Sequence, residues 1–195
     1  MLYWHLSYYQ QPTVVNALSM IIRTALQKDF ENIKRVYFSA FPKDECEAVA
    51  QLAVDLIVEN STPQIISLVV ETKGSIVGHI AFSPVAIDNI DSGQAYILAP
   101  LAVHPDYQKI GIGSSLVNQG IKQLSAMAVN MLFVYGDPNY YGKFGFKSEI
   151  AINYIAPYKL QHPSGWQAMF LTSSSGTKEA VGITCVAPLC EAKYW

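Results

Sequence analysis

The residues of this chain best suited to chemistry on an anion are Gln108-Lys109-Ile110-Gly111-Ile112-Gly113, followed by Ser114. An apolar run from Ala95 to Val103 precedes them and a helical pattern follows, so they form a strand-to-helix turn. The first N–H groups of a helix lack intrahelical acceptors, and the helix dipole favours negative charge there. Glycines at 111 and 113 let a bulky anion approach the backbone, and Lys109 adds a cation. The pattern suits a pyrophosphate cradle, although two glycines also suit a plain tight connection. It is not a Walker loop, because no Gly-Lys-Ser/Thr follows. It is a poor Rossmann fingerprint, lacking the third glycine and the acidic residue after a second strand.

A second group is Gly136-Asp137-Pro138-Asn139-Tyr140-Tyr141-Gly142-Lys143-Phe144-Gly145-Phe146. Asp137 is a good N-cap, Pro138 suits the first helical position, and Gly145 can end a short helix. Capping does not account for two adjacent tyrosines, which point about 100° apart on a helix, so one at most faces the core comfortably. A phenol of ordinary pKa, about 10, is protonated at neutral pH and can serve as an acid. His79, after Gly78 in an apolar strand, is the candidate general base or substrate contact, against a purely structural histidine. His104 sits in an exposed turn, and nothing near Cys46 marks it as an activated nucleophile. Glu45, Glu47 and Asp55 read as the solvated face of a helix that could also line a groove for a cationic acceptor.

Both blocks resemble the GNAT N-acetyltransferase superfamily over residues 20–150. Gln108 to Gly113 matches its Arg/Gln-x-x-Gly-x-Gly/Ala motif, and Leu98 to Gln108 fits the strand and turn before it. Tyr141 to Phe146 matches Tyr-x-x-x-Gly-Phe. The wider Gly-Asp-Pro-x-Tyr-Tyr-x-x-Phe-Gly-Phe block looks like one bacterial branch of predicted N-acetyltransferases. The resemblance implies acetyl-CoA as cosubstrate and no metal. It places pantetheine on backbone groups of Leu101, Ala102 and Val103, and the pyrophosphate on the amides of Lys109, Ile110, Gly111, Ile112, Gly113 and Ser114, with Gln108 among the CoA-binding residues. Asn139 and Tyr141 join the CoA contacts. Tyr141 would protonate the departing thiolate, and a backbone N–H near Val103 would polarise the thioester carbonyl.

The reaction implied is direct attack by a primary amine in a ternary complex, with a small molecule as acceptor. The alternatives are a peptide or protein N-acetyltransferase, or a non-catalytic acyl-CoA-binding regulatory module. Many relatives carry a carboxylate base on the fourth strand. Here Ala95 to Leu101 contains no acid, which leaves His79 or a water relay.

The elements that would position these groups follow from periodicity. Residues 29–41 and 44–59 read as helices, with Val49, Leu52, Ala53, Leu56 and Ile57 on one face of the second. Ile65 to Glu71 and Ile76 to Ile87 read as a hairpin about Lys73-Gly74, and Asp88 to Gly93 as a polar loop. Ala95 to Val103 is a buried strand, Gly111 to Asn130 a long helix, Met131 to Val134 another strand, and Trp166 to Ala187 a β-leaning tail. The class expected is mixed α/β. The family resemblance adds a single domain over 20–195 with a mostly antiparallel central sheet, splayed fourth and fifth strands and flanking helices. Residues 1–19, rich in aromatics, read as an N-terminal extension.

Composition narrows the class further. With 51% hydrophobic and 14% charged residues among 195, the chain can bury a full core. A formal net charge of −2 and dispersed basic residues argue against nucleic acid. Cys46, Cys185 and Cys190 make no metal pattern and no even disulfide set, and no apolar run is long enough to span a bilayer. The expected location is the cytoplasm, with no membrane partner. The aromatic ends (Tyr3, Trp4, Tyr194, Trp195) could pack across a homodimer or fold back on the domain.

Overall fold

The computed structural model describes residues 20–173 and 176–195; the expected extension over 1–19 lies outside them. Strands β1 (Met20–Thr24), β2 (Ile66–Thr72), β3 (Ser75–Ile87), β4 (Ile90–Val103), β5 (Met131–Tyr135) and β7 (Trp166–Phe170) form one sheet in the order β1-β2-β3-β4-β5-β7. A short strand, β6 (Tyr154–Ile155), pairs with β8 (Val181–Cys185), which also extends the sheet along β3. Neighbours along the main path are antiparallel except β4 and β5, which run parallel. Helices α1 (Phe30–Ala40) and α2 (Cys46–Val58) cover one face, and α3 (Ile112–Ala126) covers the other.

Alternation along the strands explains this layering, since successive side chains point to opposite faces. On β4, Tyr96 and Leu98 pack with Leu116, Val117 and Leu124 of α3. Ala95 and Ile97 pack instead with Leu52 and Leu56 of α2, and with Phe133 and Trp166. The helices and the β2–β3 hairpin lie close to their sequence-based positions, and Lys73 (φ 50°) and Gly74 (φ 77°) form its turn. The loop expected over Asp88 to Gly93 is corrected. A two-residue turn at Asp88-Asn89, with Asn89 at φ 62°, joins β3 directly to a strand that starts at Ile90. Local polarity suggested a loop, whereas the strand begins at Ile90, paired with Ile87, and reaches Ala95 through a register shift against β3.

The sheet feature that matters most for the site is an opening between β4 and β5. Their ladder runs from Ala95–Met131 to Leu98–Val134 and stops there. Between the β3 partners Phe82–Leu98 and Ile80–Leu101, β4 carries one extra residue, a bulge that contains Pro100. A bulge bends its strand, and proline has no N–H for a ladder. Beyond Leu98, β4 therefore stays with β3 while β5 ends at Tyr135, and the two diverge.

Candidate active site

The backbone beyond the bulge has a definite polarity. The N–H of His104 donates to the Val77 carbonyl at 2.9 Å, so residues in step with His104 face β3. Leu101 and Val103, out of step with it, direct their N–H and C=O groups into the gap. The Val103 carbonyl accepts from Gln108 Nε2 at 2.9 Å, which braces the turn that follows.

That turn is built from left-handed residues. Lys109 has φ 63° and Gly111, the N-cap of α3, has φ 93°. Such alternation gathers successive N–H groups into a concave nest, and α3 adds its positive end. The nest opens on a cavity of about 570 Å³ that Leu101, Val103, Gln108 and Ser114 help to line. Lys109 and Lys143 also line it, and among the described residues no acidic side chain does. An anion is the ligand that this charge pattern suits.

At Gly113 the constraint is a close approach of a side chain rather than φ. A Cβ there would come within 2.5 Å of Tyr140 Oη. Tyr140 is hydrogen-bonded to the Ser114 side chain, and Lys143 Nζ lies 3.9 Å from the centroid of its ring. Tyr140 therefore roofs the cradle. The motif register pointed to Tyr141 and left Tyr140 without a role; Lys143, three residues on, was the available signal.

Tyr141 lies on the other side of the junction. The short helix α4 (Pro138–Tyr141) is capped by the Asp137 carboxylate, which accepts from the Asn139 N–H at 2.9 Å. Tyr141 packs edge-on against Tyr140 and Phe146, with ring centroids 5.0 and 5.8 Å away. Burial raises its pKa above the ordinary 10, so its hydroxyl remains protonated. Gly136 makes room for the ring, because a Cβ at that position would run into Tyr141 Cε2. Gly136→Ala is expected to displace the ring, lowering turnover and costing about 1–3 kcal/mol from overpacking. Paired kcat and thermal-unfolding measurements check this; unchanged kcat would mean that the ring's position is irrelevant.

Tyr141 lines a second cavity, of about 530 Å³, between β4 and α2. Leu101 lines both cavities, so they abut at the diverging edge of β4. The second cavity has mostly apolar and aromatic walls, with Asp44, Glu45 and Lys193 as its ionisable side chains apart from tyrosines. Asp44 and Glu45 are exposed at the start of α2.

The other site expectations divide. Leu101, Ala102, Val103, Gln108, Lys109, Gly111, Ile112, Gly113 and Ser114 all line the first cavity, whereas Ile110 and Asn139 point to solvent and line neither. His79 needs the largest correction. It is fully buried, with Nδ1 2.8 Å from Tyr37 Oη and Nε2 2.8 Å from Ser67 Oγ, and it lines neither cavity. Burial pulls its pKa down to about 3, and with both ring nitrogens engaged it sits as a neutral core histidine away from either cavity.

This has a measurable consequence for stability. Unfolded His79 takes up a proton below about pH 6.5 while the folded protein does not, so stability falls as pH falls from 6.5 toward 3. The contribution of Asp29, held below the ordinary carboxylate range by Arg23, is lost as pH falls through its ordinary value of 3.8 and below, outside the range from pH 6 to 4.5. The expected result is a fall of roughly 1.4 kcal/mol per pH unit between pH 6 and 4.5, read from urea midpoints. His79→Gln should flatten that slope, and an unchanged slope would contradict the burial of a neutral imidazole.

Among the described residues no helix is long and apolar enough to cross a membrane. Of the aromatic ends, Tyr194 and Trp195 fold back on the domain, with Trp195 only 4% exposed; Tyr3 and Trp4 lie outside the described residues.

Comparison with known proteins agrees with this geometry. The profile of the family described as "Acetyltransferase (GNAT) domain" matches residues 63–148. YjhQ of Escherichia coli K12, named an uncharacterized N-acetyltransferase, is 34% identical over 155 residues, covering 77% of this chain and 84% of that protein. The fold is similar to that of YhbS from Escherichia coli, solved in complex with CoA, with a TM-score of 0.73, 26% identity and coverage of 91% of this chain and 94% of that one. It also resembles a GNAT family acetyltransferase from Brucella melitensis, solved in complex with acetyl-CoA, with a TM-score of 0.63, 27% identity and coverage of 87% and 97%. The shared sequence and fold establish that this chain belongs to the GNAT acetyltransferase family and is an acyltransferase.

Proposed function

We propose that the protein transfers an acetyl group from acetyl-CoA to a small primary amine by direct attack in a ternary complex. The observation that carries this reading is the meeting of two unlike cavities at Leu101, one basic and one apolar with an acidic rim. The pyrophosphate sits on the amides from Lys109 to Ser114, with Lys109 and Lys143 beside it. The pantetheine arm runs along the Leu101–Val103 edge, where backbone groups face the gap. This brings the thioester to the junction.

The amine enters from the second cavity as its ammonium form, drawn by Asp44 and Glu45, and loses a proton to solvent at the mouth. Its nitrogen attacks the carbonyl carbon, the C–N bond forms as the C–S bond breaks, and the extra proton then carried by the nitrogen passes to the departing thiolate or to solvent, giving the amide and the CoA thiol. The N–H of Leu101 donates to the developing oxyanion. Tyr141 donates to the thiolate. Because burial raises the tyrosine pKa above 10, it is a weaker acid than an ordinary thiol at about 8.5, and its contribution is a hydrogen bond rather than complete proton transfer. Holding both reactants at one junction contributes much of the acceleration.

The test is amine-dependent release of CoA thiol, followed by detection of the N-acetylated product. Saturable release with both substrates supports the reading. A protein that binds acetyl-CoA but releases no thiol with any amine would instead be a non-catalytic acyl-CoA-binding module.

A further inference from the structure

The second cavity is walled partly by a segment far from the acetyl-CoA motifs. Residues 187–195 contain two short 3-10 turns, and Leu189, Lys193, Tyr194 and Trp195 of this segment line the cavity. This strap is anchored at several points. Trp195 Nε1 donates to the Leu189 carbonyl at 3.1 Å, and its ring packs on Trp166 and Tyr135, with centroids 6.0 and 6.5 Å away. Tyr194 Oη reaches toward the Ala48 carbonyl of α2 at 3.4 Å, so the tyrosine bridges strap and helix across the cavity.

The rest of the wall includes Phe41, Leu52, Ile97 and Pro100. Charge is confined to few side chains. Lys193 Nζ is paired with Glu191 at 2.6 Å, which leaves Asp44 and Glu45 as the carboxylates lining the cavity. A polycation or a polyhydroxylated amine can place one charge near Asp44 and Glu45, but its further polar groups meet mostly apolar walls, where they lose water for few partners. A flat apolar group gains from the same walls, and a volume of about 530 Å³ is ample for one or two rings.

We propose that the acceptor is a primary amine carried on an aromatic or bulky apolar body, selected by the strap through Tyr194 and Leu189. The inference rests on the acetyltransferase reading above and adds the substrate class. The body lies between the strap and α2, and the amine points toward Leu101 and Tyr141. Tyr194 is the specificity-determining side chain, and it acts on binding of the acceptor rather than on chemistry at the thioester.

The experiment compares kcat/KM of the full chain, at saturating acetyl-CoA, for phenethylamine, tryptamine, ethanolamine, spermidine and a short peptide with a free N-terminus. Phenethylamine and tryptamine are expected to exceed ethanolamine and spermidine by roughly 30-fold or more, the scale for burying one ring. Tyr194→Ala should raise KM for the aralkylamines about tenfold, so that their advantage over ethanolamine shrinks by about the same factor. Tyr194→Phe, which keeps the ring, should restore most of the preference and controls for loss of folding. Equal or better use of spermidine, ethanolamine or the peptide overturns the proposal while leaving the acetyltransferase reading intact. Failure to acetylate any amine, by protein that binds acetyl-CoA, overturns both.

Discussion

Gly113→Val is expected to weaken acetyl-CoA binding by roughly 100-fold, which corresponds to about 2.7 kcal/mol. The added side chain enters the space in which a Cβ would already lie 2.5 Å from Tyr140 Oη. Tyr140 must then leave its hydrogen bond to Ser114, or the first turn of α3 must shift. In either case the ligand loses backbone amides, and each charge-assisted bond to a phosphate contributes about 1.5–3 kcal/mol. The fold should survive, because Gly113 is only half-buried and its φ is not in the left-handed region. Calorimetric titration of wild type and variant with acetyl-CoA, alongside thermal unfolding, separates the two effects. A folded variant that binds as tightly as wild type would remove the pyrophosphate from this turn.

Tyr141→Phe is expected to lower kcat by roughly 100-fold while acetyl-CoA affinity changes little. The substitution keeps the ring against Phe146 and Tyr140 and deletes only the hydroxyl. Removing a single donor aimed at developing charge has effects of this size, because the donor is worth more in the transition state than in the ground state. Steady-state kinetics give kcat, and calorimetry gives affinity independently. A fall confined to affinity would make Tyr141 a CoA contact, and an unchanged kcat would leave the thiolate without this donor.

Much of the turn proposed to hold acetyl-CoA was legible in the sequence as local structure, because its determinants are local. The turn from Val103 to Ser114 and helix α3 are set by neighbouring residues, through a strand end, two glycines and an amphipathic repeat. Tyr141 could be singled out by its distance from Gly145, whereas the roles of Tyr140 and Lys143 needed the approach of α4 to Gly113. The acceptor side was poorly legible for the opposite reason. Its walls come from Phe41, α2, β4 and the strap at 187–195, which meet only after the sheet has formed. His79 shows the same limit. Its partners, Tyr37 and Ser67, lie 42 and 12 residues away, and only their convergence makes it a satisfied core residue.

The most direct test of the central claim is the distance from the CoA sulfur to Tyr141 Oη in a crystal structure of this protein with CoA. The account predicts a hydrogen-bonding distance, roughly 3.0–3.5 Å, with the pyrophosphate on the amides from Lys109 to Ser114. A pyrophosphate bound elsewhere, or a sulfur more than about twice that distance from Tyr141 with no second group beside it, would contradict the assignment of the junction at Leu101 as the place of acetyl transfer.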